Sequence, residues 1–312
     1  MQIFDSRQTA AGLPFDALIT ALERVFIEGC NVPRRHIHSI QSQDGEATLL
    51  LMPAWQENGL LGIKHVTIYP QNGKRGLPGL HSTYTLFDAS NGVPVAVLDG
   101  DQITVRRTAA ASALAARYLA RAEASRLLIV GAGNVAAAIA PAYAAVRDLR
   151  RVDVWNINPD RAKQLVSRLR DEGFQAEVAI DLEQAVAQAD IVSCATLSTQ
   201  PLVLRKWLRP GTHLDLIGSF KPDMRESDDA TFSGTSVFID TEEALDKSGD
   251  LLAPIAAGLF ARDRVLGTLA DLCHQRHPGR TSDDEITVYK AVGAASEDLA
   301  AAALVYQGQS GQ

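Results

Sequence analysis

The chain has 312 residues, which at roughly 150 residues per domain points to about two domains and leaves ample length for a buried core. Its 37 acidic residues outnumber the 30 basic ones, and the resulting formal charge of −7 argues against coating a nucleic acid or an anionic membrane. Hydrophobic content of 46% against 21% charged residues excludes a mostly disordered chain.

The cysteines Cys30, Cys194 and Cys273 are widely spaced and form neither a CxxC pair nor a Cys/His cluster, so no metal site is expected and a reducing compartment fits. The first residues carry acids early and lack a basic segment leading into an apolar one. No apolar run nears the roughly 20 residues needed to cross a bilayer. A cytoplasmic protein without nucleic-acid or membrane partners is expected.

In chain order, residues 14–30 (PFDALITALERVFIEGC) space Phe15, Leu18, Ile19, Leu22, Val25 and Phe26 at helical intervals, predicting an amphipathic helix. From Ile37 to Val97 come short β-rich runs, ATLLLMPAW, LLGIKHVTIYP, HSTYTLFDA and VPVAVLD, divided by turn clusters such as SQDGE and QNGKRGLPG. They predict a meander of mostly antiparallel strands. The alanine-rich TVRRTAAASALAARYLARAEA, free of internal Gly and Pro, predicts a long helix with Thr104 as its N-cap. After Ser125, continuously apolar runs alternate with helical ones: RLLIVGAG, VAAAIAPAYAAVRD, VDVWN, PDRAKQLVSRLRDEG, DLEQAVAQA, DIVSCAT, THLDLIGS and SVFID. Strands buried on both faces with helices as crossovers predict a parallel, doubly wound sheet, so the expected class is α/β with an additional α+β domain. A closing helix is expected from about Ser282 to Tyr306, packed beside the N-terminal domain.

The segment LLIVGAGNVAAAIA sets Gly131, Gly133 and Ala136 in a G-x-G-x-x-A pattern between an apolar strand and a helix, the Rossmann-type dinucleotide turn. Gly131 permits the tight turn, Gly133 lacks the Cβ that would block a pyrophosphate, and Ala136 lets helix and strand approach. Asn134 and Val135 open the helix, whose free N–H groups favour phosphates. The next strand, RVDVW, ends at Asn156-Ile157-Asn158 instead of the acid that holds the ribose hydroxyls of NAD, and Asp153 comes too early for that role. An uncharged tip with Asn156 and Asn158 as donors to a 2′-phosphate favours NADP(H), with NAD(H) as the alternative. Arg161 either joins them or solvates a helix face.

Ahead of that region, Arg35 in VPRRHI, Lys64 inside the apolar LLGIKHVTI and Arg107 in TVRRTAAAS stand in contexts unlike ordinary solvated charge. A lysine in such a strand either faces solvent or meets an anion, because burying it unpaired is costly. Arg107 is likewise either a surface residue at a helix start or a partner for an anion.

Taken together, LGIKHVTIYPQN, GLPGLHSTYTLFD, LDGDQITVRRTAAASALAARYLA, VGAGNVA, DIVSCATLSTQPLV, GTHLDLIGS and DEITVYKAVG make the chain resemble the ornithine cyclodeaminase/mu-crystallin family over nearly its whole length. The resemblance implies a homodimer whose protomers hold a substrate-binding and dimerisation domain (residues 1–122 and 283–312) and an NAD(P)-binding Rossmann domain (123–282), acting on small amino or imino acids. It assigns Arg35, Lys64 and Arg107 to the substrate carboxylate, with Lys64 and Arg107 as catalytic candidates; a guanidinium fork plus an ammonium is a sound clamp for such an anion. Thr83 and Thr108 are expected in the same pocket, Thr108 also reaching the cofactor. Thr196, Leu197 and Ser198 are expected as a loop beside the nicotinamide, and Gly218, Lys290 and Gly293 near the cofactor. His65 alternates to the opposite strand face and reads as packing or surface, whereas His81 stays open as an orienting group.

Cyclodeaminases of that family carry an Asp where this chain has Phe220, within Gly218-Ser219-Phe220-Lys221-Pro222-Asp223. A phenyl ring neither takes nor gives a proton. The resemblance with this departure implies reduction of a cyclic ketimine carboxylate, Δ1-pyrroline-2-carboxylate or Δ1-piperideine-2-carboxylate, to proline or pipecolate. That reaction needs only an anchored carboxylate, a protonated C=N and the nicotinamide. No proton donor stands out. Ornithine cyclodeamination and alanine dehydrogenation are alternatives that require a base, and an NADPH-dependent small-ligand-binding protein of mu-crystallin type is one of another class.

Overall fold

Period-two alternation builds the first sheet, in a computed structural model that describes residues 1–310. The chain divides into two compact units, residues 1–107 with the chain from Ala294 onward, and residues 108–293. In the first, β1 (Gln2–Phe4), α1 (Ser6–Ala11) and α2 (Phe15–Glu28) precede β2 (His36–Ser42), β3 (Gly45–Trp55), β4 (Leu60–Ile68), β5 (Leu80–Asp88) and β6 (Pro94–Asp99). Strands β2 to β6 form the expected antiparallel meander, and β1 adds to β6 in parallel at one edge. One face buries Met52, Ala54, Val66, Tyr84, Leu86, Ala96 and Leu98; the alternate positions, among them Leu51, Ile63 and His65, are only half-buried.

Helix α3 (Gly100–Leu119) starts in one unit and ends in the other. It begins before the expected cap at Thr104, because the Gln102 N–H donates to Asp99 Oδ1 at 2.8 Å and so satisfies an open donor of the first turn one turn earlier.

The second unit runs β7 (Arg126–Val130), α4 (Asn134–Ala144), β8 (Arg151–Trp155), α5 (Pro159–Asp171), β9 (Ala176–Val178), α6 (Leu182–Gln188), β10 (Ile191–Cys194), β11 (His213–Leu216), β12 (Ser236–Ile239), α7 (Ala244–Lys247), α8 (Gly249–Ala256), β13 (Val265–Thr268), α9 (Leu269–Cys273) and β14 (Thr287–Lys290). Every pairing is parallel, in the order β13-β12-β14-β11-β10-β7-β8-β9. This is a Rossmann-type doubly wound sheet, and the strand order reverses between β7 and β10, where such sheets leave a crevice at their carboxyl ends. Leu128, Val130, Val192, Cys194, Leu214, Leu216 and Val288 form part of its core.

The closing helix is shorter than expected. Residues 287–290 form β14, buried between β11 and β12, and only from Ala295 does α10 (Ala295–Ser310) run back over α2, β3 and β4. Thr287, Val288 and Tyr289 suit a sheet interior better than a helix, and Gly293 at φ 81° breaks the chain direction between the two elements. Among the described residues no helix is long and apolar enough to cross a membrane.

One buried acid joins the layers of the second unit. Asp215 on β11 accepts from Ser112 on α3 (3.0 Å), Tyr143 on α4 (3.0 Å) and Ser193 on β10 (2.5 Å). Burial outweighs those donors and pushes its carboxyl up to about 6. The folded state therefore favours the protonated form, so Asp215's contribution to stability is greatest below pH 4 and is lost as the pH rises through 6, by roughly 3 kcal/mol. Asp215→Asn keeps an acceptor for the hydroxyl rotors but cannot ionise. Urea unfolding at pH 4 and pH 7 is expected to show a smaller decline in the variant than in the parent; equal declines would mean that Asp215 does not titrate in this range.

Candidate active site

The alternation of β4 points Lys64 toward the buried face, where it is 3% exposed. Its Nζ lies 2.7 Å from Asp298 Oδ2 and donates to Thr104 Oγ1 at 3.3 Å. Arg107, 5% exposed on α3, sends Nε to Asp298 Oδ1 at 2.9 Å and a terminal nitrogen to Glu297 Oε2 at 2.7 Å. Glu297 and Asp298 sit in the first turn of α10, where the helix dipole favours negative charge. Both are almost fully buried.

The surroundings separate the two cations. Burial is the largest influence on Lys64 and lowers its ammonium to about 8; Arg107 pushes the same way and Asp298 opposes. Burial also works against Arg107, but Asp298 and Glu297 together outweigh it and hold the guanidinium above its ordinary value. Arg107 stays charged, while Lys64 can lose its proton at mildly alkaline pH.

Arg35, half-buried, immediately precedes β2. The first β2 pair is His36 with Leu51, and the next bridge back along the chain, Asn31 with Trp55, is one residue out of that register, so no pairing fixes the face of Arg35. Thr83 does not join Lys64. It pairs with His65, and in a sheet that row points to the opposite face from Lys64 and Tyr84; Thr83 is exposed there. Glu297 and Asp298, the partners of Lys64 and Arg107, were missed in the sequence. The available signal was a pair of adjacent acids inside an otherwise apolar helix.

In the second unit, Gly131 ends β7 at φ 122°, and a Cβ there would lie 2.5 Å from the Ala195 carbonyl oxygen, so only glycine lets the turn press against the end of β10. Gly133 differs: it is exposed at the start of α4 with open space where its Cβ would stand. Asn134 is exposed and Val135 half-buried on the same first turn, and Ala136 is fully buried. An uncovered helix N-terminus with room for a close approach suits a pyrophosphate. Thr108 follows Arg107 on α3 and is half-buried.

At the tip of β8, Asn156 donates its amide to the Asn158 carbonyl at 3.0 Å. Asn158 caps α5, its Oδ1 accepting the N–H groups of Asp160 (3.0 Å) and Arg161 (3.4 Å). Asn158 thus has a structural task that its sequence position did not reveal, while the Arg161 side chain is exposed. In the loop after β10, Thr196 is half-buried, Leu197 is 77% exposed and Ser198 donates to the Gln200 carbonyl at 2.6 Å. Gly218 is buried and Phe220 is 42% exposed after β11, and Asp223 is exposed.

The Lys290 ammonium is committed to backbone carbonyls. It is fully buried and donates to the carbonyls of Leu216, at 2.9 Å, and Gly218. The Gly293 N–H is held by Asp240 Oδ2 at 2.6 Å.

A parallel sheet with a dinucleotide turn at its switch point, accompanied by a unit that buries two cations, defines a Rossmann-type oxidoreductase architecture. The chain belongs to the ornithine cyclodeaminase/mu-crystallin family, whose model matches residues 9–312. It is 41% identical to a Delta(1)-pyrroline-2-carboxylate reductase of Paracoccus denitrificans over 91% of this chain and 90% of that one. The structure of Thermococcus litoralis Delta(1)-pyrroline-2-carboxylate reductase with NADH and L-proline matches with a TM-score of 0.92 and 32% identity, covering 98% of this chain and 97% of that one. An archaeal alanine dehydrogenase dimer with bound NAD matches with a TM-score of 0.92 at 28% identity, covering 100% and 96%.

Proposed function

We propose that this protein reduces small cyclic ketimine carboxylates, Δ1-pyrroline-2-carboxylate and its six-membered homologue, to proline and pipecolate with a nicotinamide dinucleotide. The observation that carries the reading is the buried Lys64–Arg107 pair on a chain 41% identical to a relative bearing that activity's name. A bound cofactor supplies the hydride; the open start of α4 at Gly133 fits its pyrophosphate. Arg107 offers a permanent charge to the substrate carboxylate, Lys64 a second and titratable one, and Arg35, just ahead of β2, is the third candidate. Thr108, Gly131, Asn134, Val135, Thr196, Leu197, Ser198 and Gly218 are the cofactor-side candidates, with Gly293 and Lys290 holding the surrounding backbone. Phe220 leaves the position after β11 without the acid that cyclodeamination requires.

We further infer a homodimer formed through the half-buried face of the first sheet, where Leu51, Ile63 and His65 are incompletely covered. Light scattering is expected to report twice the protomer mass.

Purified protein is expected to oxidise NADPH when given Δ1-pyrroline-2-carboxylate. Ammonia release from ornithine with NAD, without imine reduction, would reverse the assignment. Lys64→Met is expected to raise KM about 30-fold or more, the loss of one charge-assisted bond to a carboxylate, while the dinucleotide Kd stays the same. Because carboxylate binding needs the ammonium, the parent's KM rises as the pH passes about 8, and that rise disappears in Lys64→Met. A KM independent of Lys64 and of pH would remove it from the substrate site.

The tip of β8 supports NADPH over NADH, since Asn156 and Arg161 bring no negative charge to a 2′-phosphate. Asn156→Asp is expected to shift the NADPH/NADH ratio of kcat/KM toward NADH by about tenfold, one unfavourable charge contact. An unchanged ratio places the discrimination elsewhere.

A further inference from the structure

Beneath the 196–198 loop lies a carboxyl group that the proposed reaction does not use. Glu226 is 0% exposed, and its Oε1 accepts both the Thr196 N–H at 2.7 Å and the Thr196 hydroxyl at 2.8 Å. The Glu226 backbone is itself fixed: its N–H donates to Asp250 Oδ1 at 2.9 Å, and its carbonyl accepts from Leu202 at 3.0 Å and Val203 at 2.9 Å. The turn after β11 presses on the same head group. A Cβ on Gly218 would stand 2.4 Å from Glu226 Oε1 and 2.3 Å from the Thr196 carbonyl oxygen, a space that only glycine leaves open. Lys290 grips the far side of that turn through the Leu216 and Gly218 carbonyls. One buried side chain therefore bonds the segment after β10 and packs against the turn after β11.

We propose that Glu226 is a positioning residue for the cofactor loop, holding Thr196 against the Gly218 turn so that residues 196–198 offer a fixed surface to the nicotinamide. The proposal rests on the assignment of that loop to the nicotinamide made above. The charged and titratable groups around Glu226 are Asp250 on α8, Lys290 on β14, Cys194 on β10 and the neighbouring Arg225, whose Nε lies 3.6 Å from Asp250. Burial dominates and pushes the Glu226 carboxyl up to about 8, with Lys290 opposing and Asp250 adding to the rise. Glu226 is accordingly mostly neutral at pH 7 and gains its charge as the pH passes 8. An anion under the nicotinamide attracts the cationic oxidised ring and not the neutral reduced one.

The test compares the parent with Glu226→Gln, Glu226→Ala and Thr196→Val, using fluorescence titrations with NADPH and NADP+ from pH 6.5 to 9.5 and turnover of Δ1-pyrroline-2-carboxylate at pH 7. Glu226→Ala is expected to lower kcat by about tenfold or more, because a misplaced loop spoils a near-attack geometry. The Gln variant, which keeps the acceptor, is expected to stay within about threefold of the parent. In the parent the ratio of the NADPH Kd to the NADP+ Kd rises above pH 8; in Glu226→Gln it stays flat. A folded Ala variant with parental kcat, or the same pH dependence in Glu226→Gln, would overturn the proposal. If the Ala variant does not fold, parental kcat in Thr196→Val overturns it instead. A parent that binds neither nucleotide would bring down the cofactor assignment itself, and the proposal with it.

Discussion

Four charges buried together in the first unit can persist only because they neutralise one another. Moving an isolated ion out of water costs several kcal/mol even after relaxation, and removing one partner of a buried pair typically costs 3–5 kcal/mol. Asp298 stands between Lys64 and Arg107, with one oxygen at 2.7 Å from the first and the other at 2.9 Å from the second, and Glu297 completes the neutralisation at Arg107. The two cations are thus held in place before any ligand arrives. An arriving carboxylate meets groups whose desolvation has already been met by folding, so less of its binding energy is lost to ordering side chains.

That arrangement also explains what could and could not be read from the chain. The glycine turn after β7 was legible because Gly131 answers a local backbone demand: its left-handed conformation and the Ala195 carbonyl beside it admit no side chain. The antiparallel meander and the parallel core strands were legible from their periodicity. Residues 287–290 were not, because a four-residue strand with a polar residue at each end, running toward an alanine-rich helix, carries too little pattern to separate the two. β13 is equally short and β1 shorter still. Glu297 and Asp298 were overlooked because adjacent acids in a helix ordinarily read as a solvated turn, and only the packing of α10 against β4 makes them partners of Lys64. Thr83 was misplaced for a related reason: motif position says nothing of strand register, which sends it to the opposite face. Asn158 caps a helix through its amide oxygen, a task that asks for the same short polar side chain as donating to a ligand.

The carboxyl edge of the second sheet shows a similar reliance on buried polar groups. Its strands are four or five residues long at the centre, too short to fix the loops that follow them by ladder bonds alone. Asp240 accepts the N–H groups of Val292 and Gly293, both at 2.6 Å, Lys290 collects carbonyls from the end of β11, and Glu226 holds Thr196. Each replaces missing sheet hydrogen bonds with side-chain ones, and each lies directly beneath backbone expected to meet the cofactor. Loops held in this way can be exposed, as Leu197 is, and still be defined in shape.

The carboxylates found beside Lys64 and Arg107 raise the question of whether they restore the base that Phe220 displaces. Their contacts argue that they do not. Both oxygens of Asp298 are engaged by cations, and Glu297 bonds the same guanidinium. A proton arriving at Asp298 would have to displace a cation already held there. Protonating Asp298 would also leave two buried cations undercompensated, a cost added to that of the proton transfer. Lys64 is placed differently. Burial lowers its ammonium to about 8, so it is the member of the cluster that can give up a proton at mildly alkaline pH. At pH 7 that proton is still held and can be given to a C=N nitrogen, whereas the reverse oxidation needs the neutral amine that forms above about pH 8.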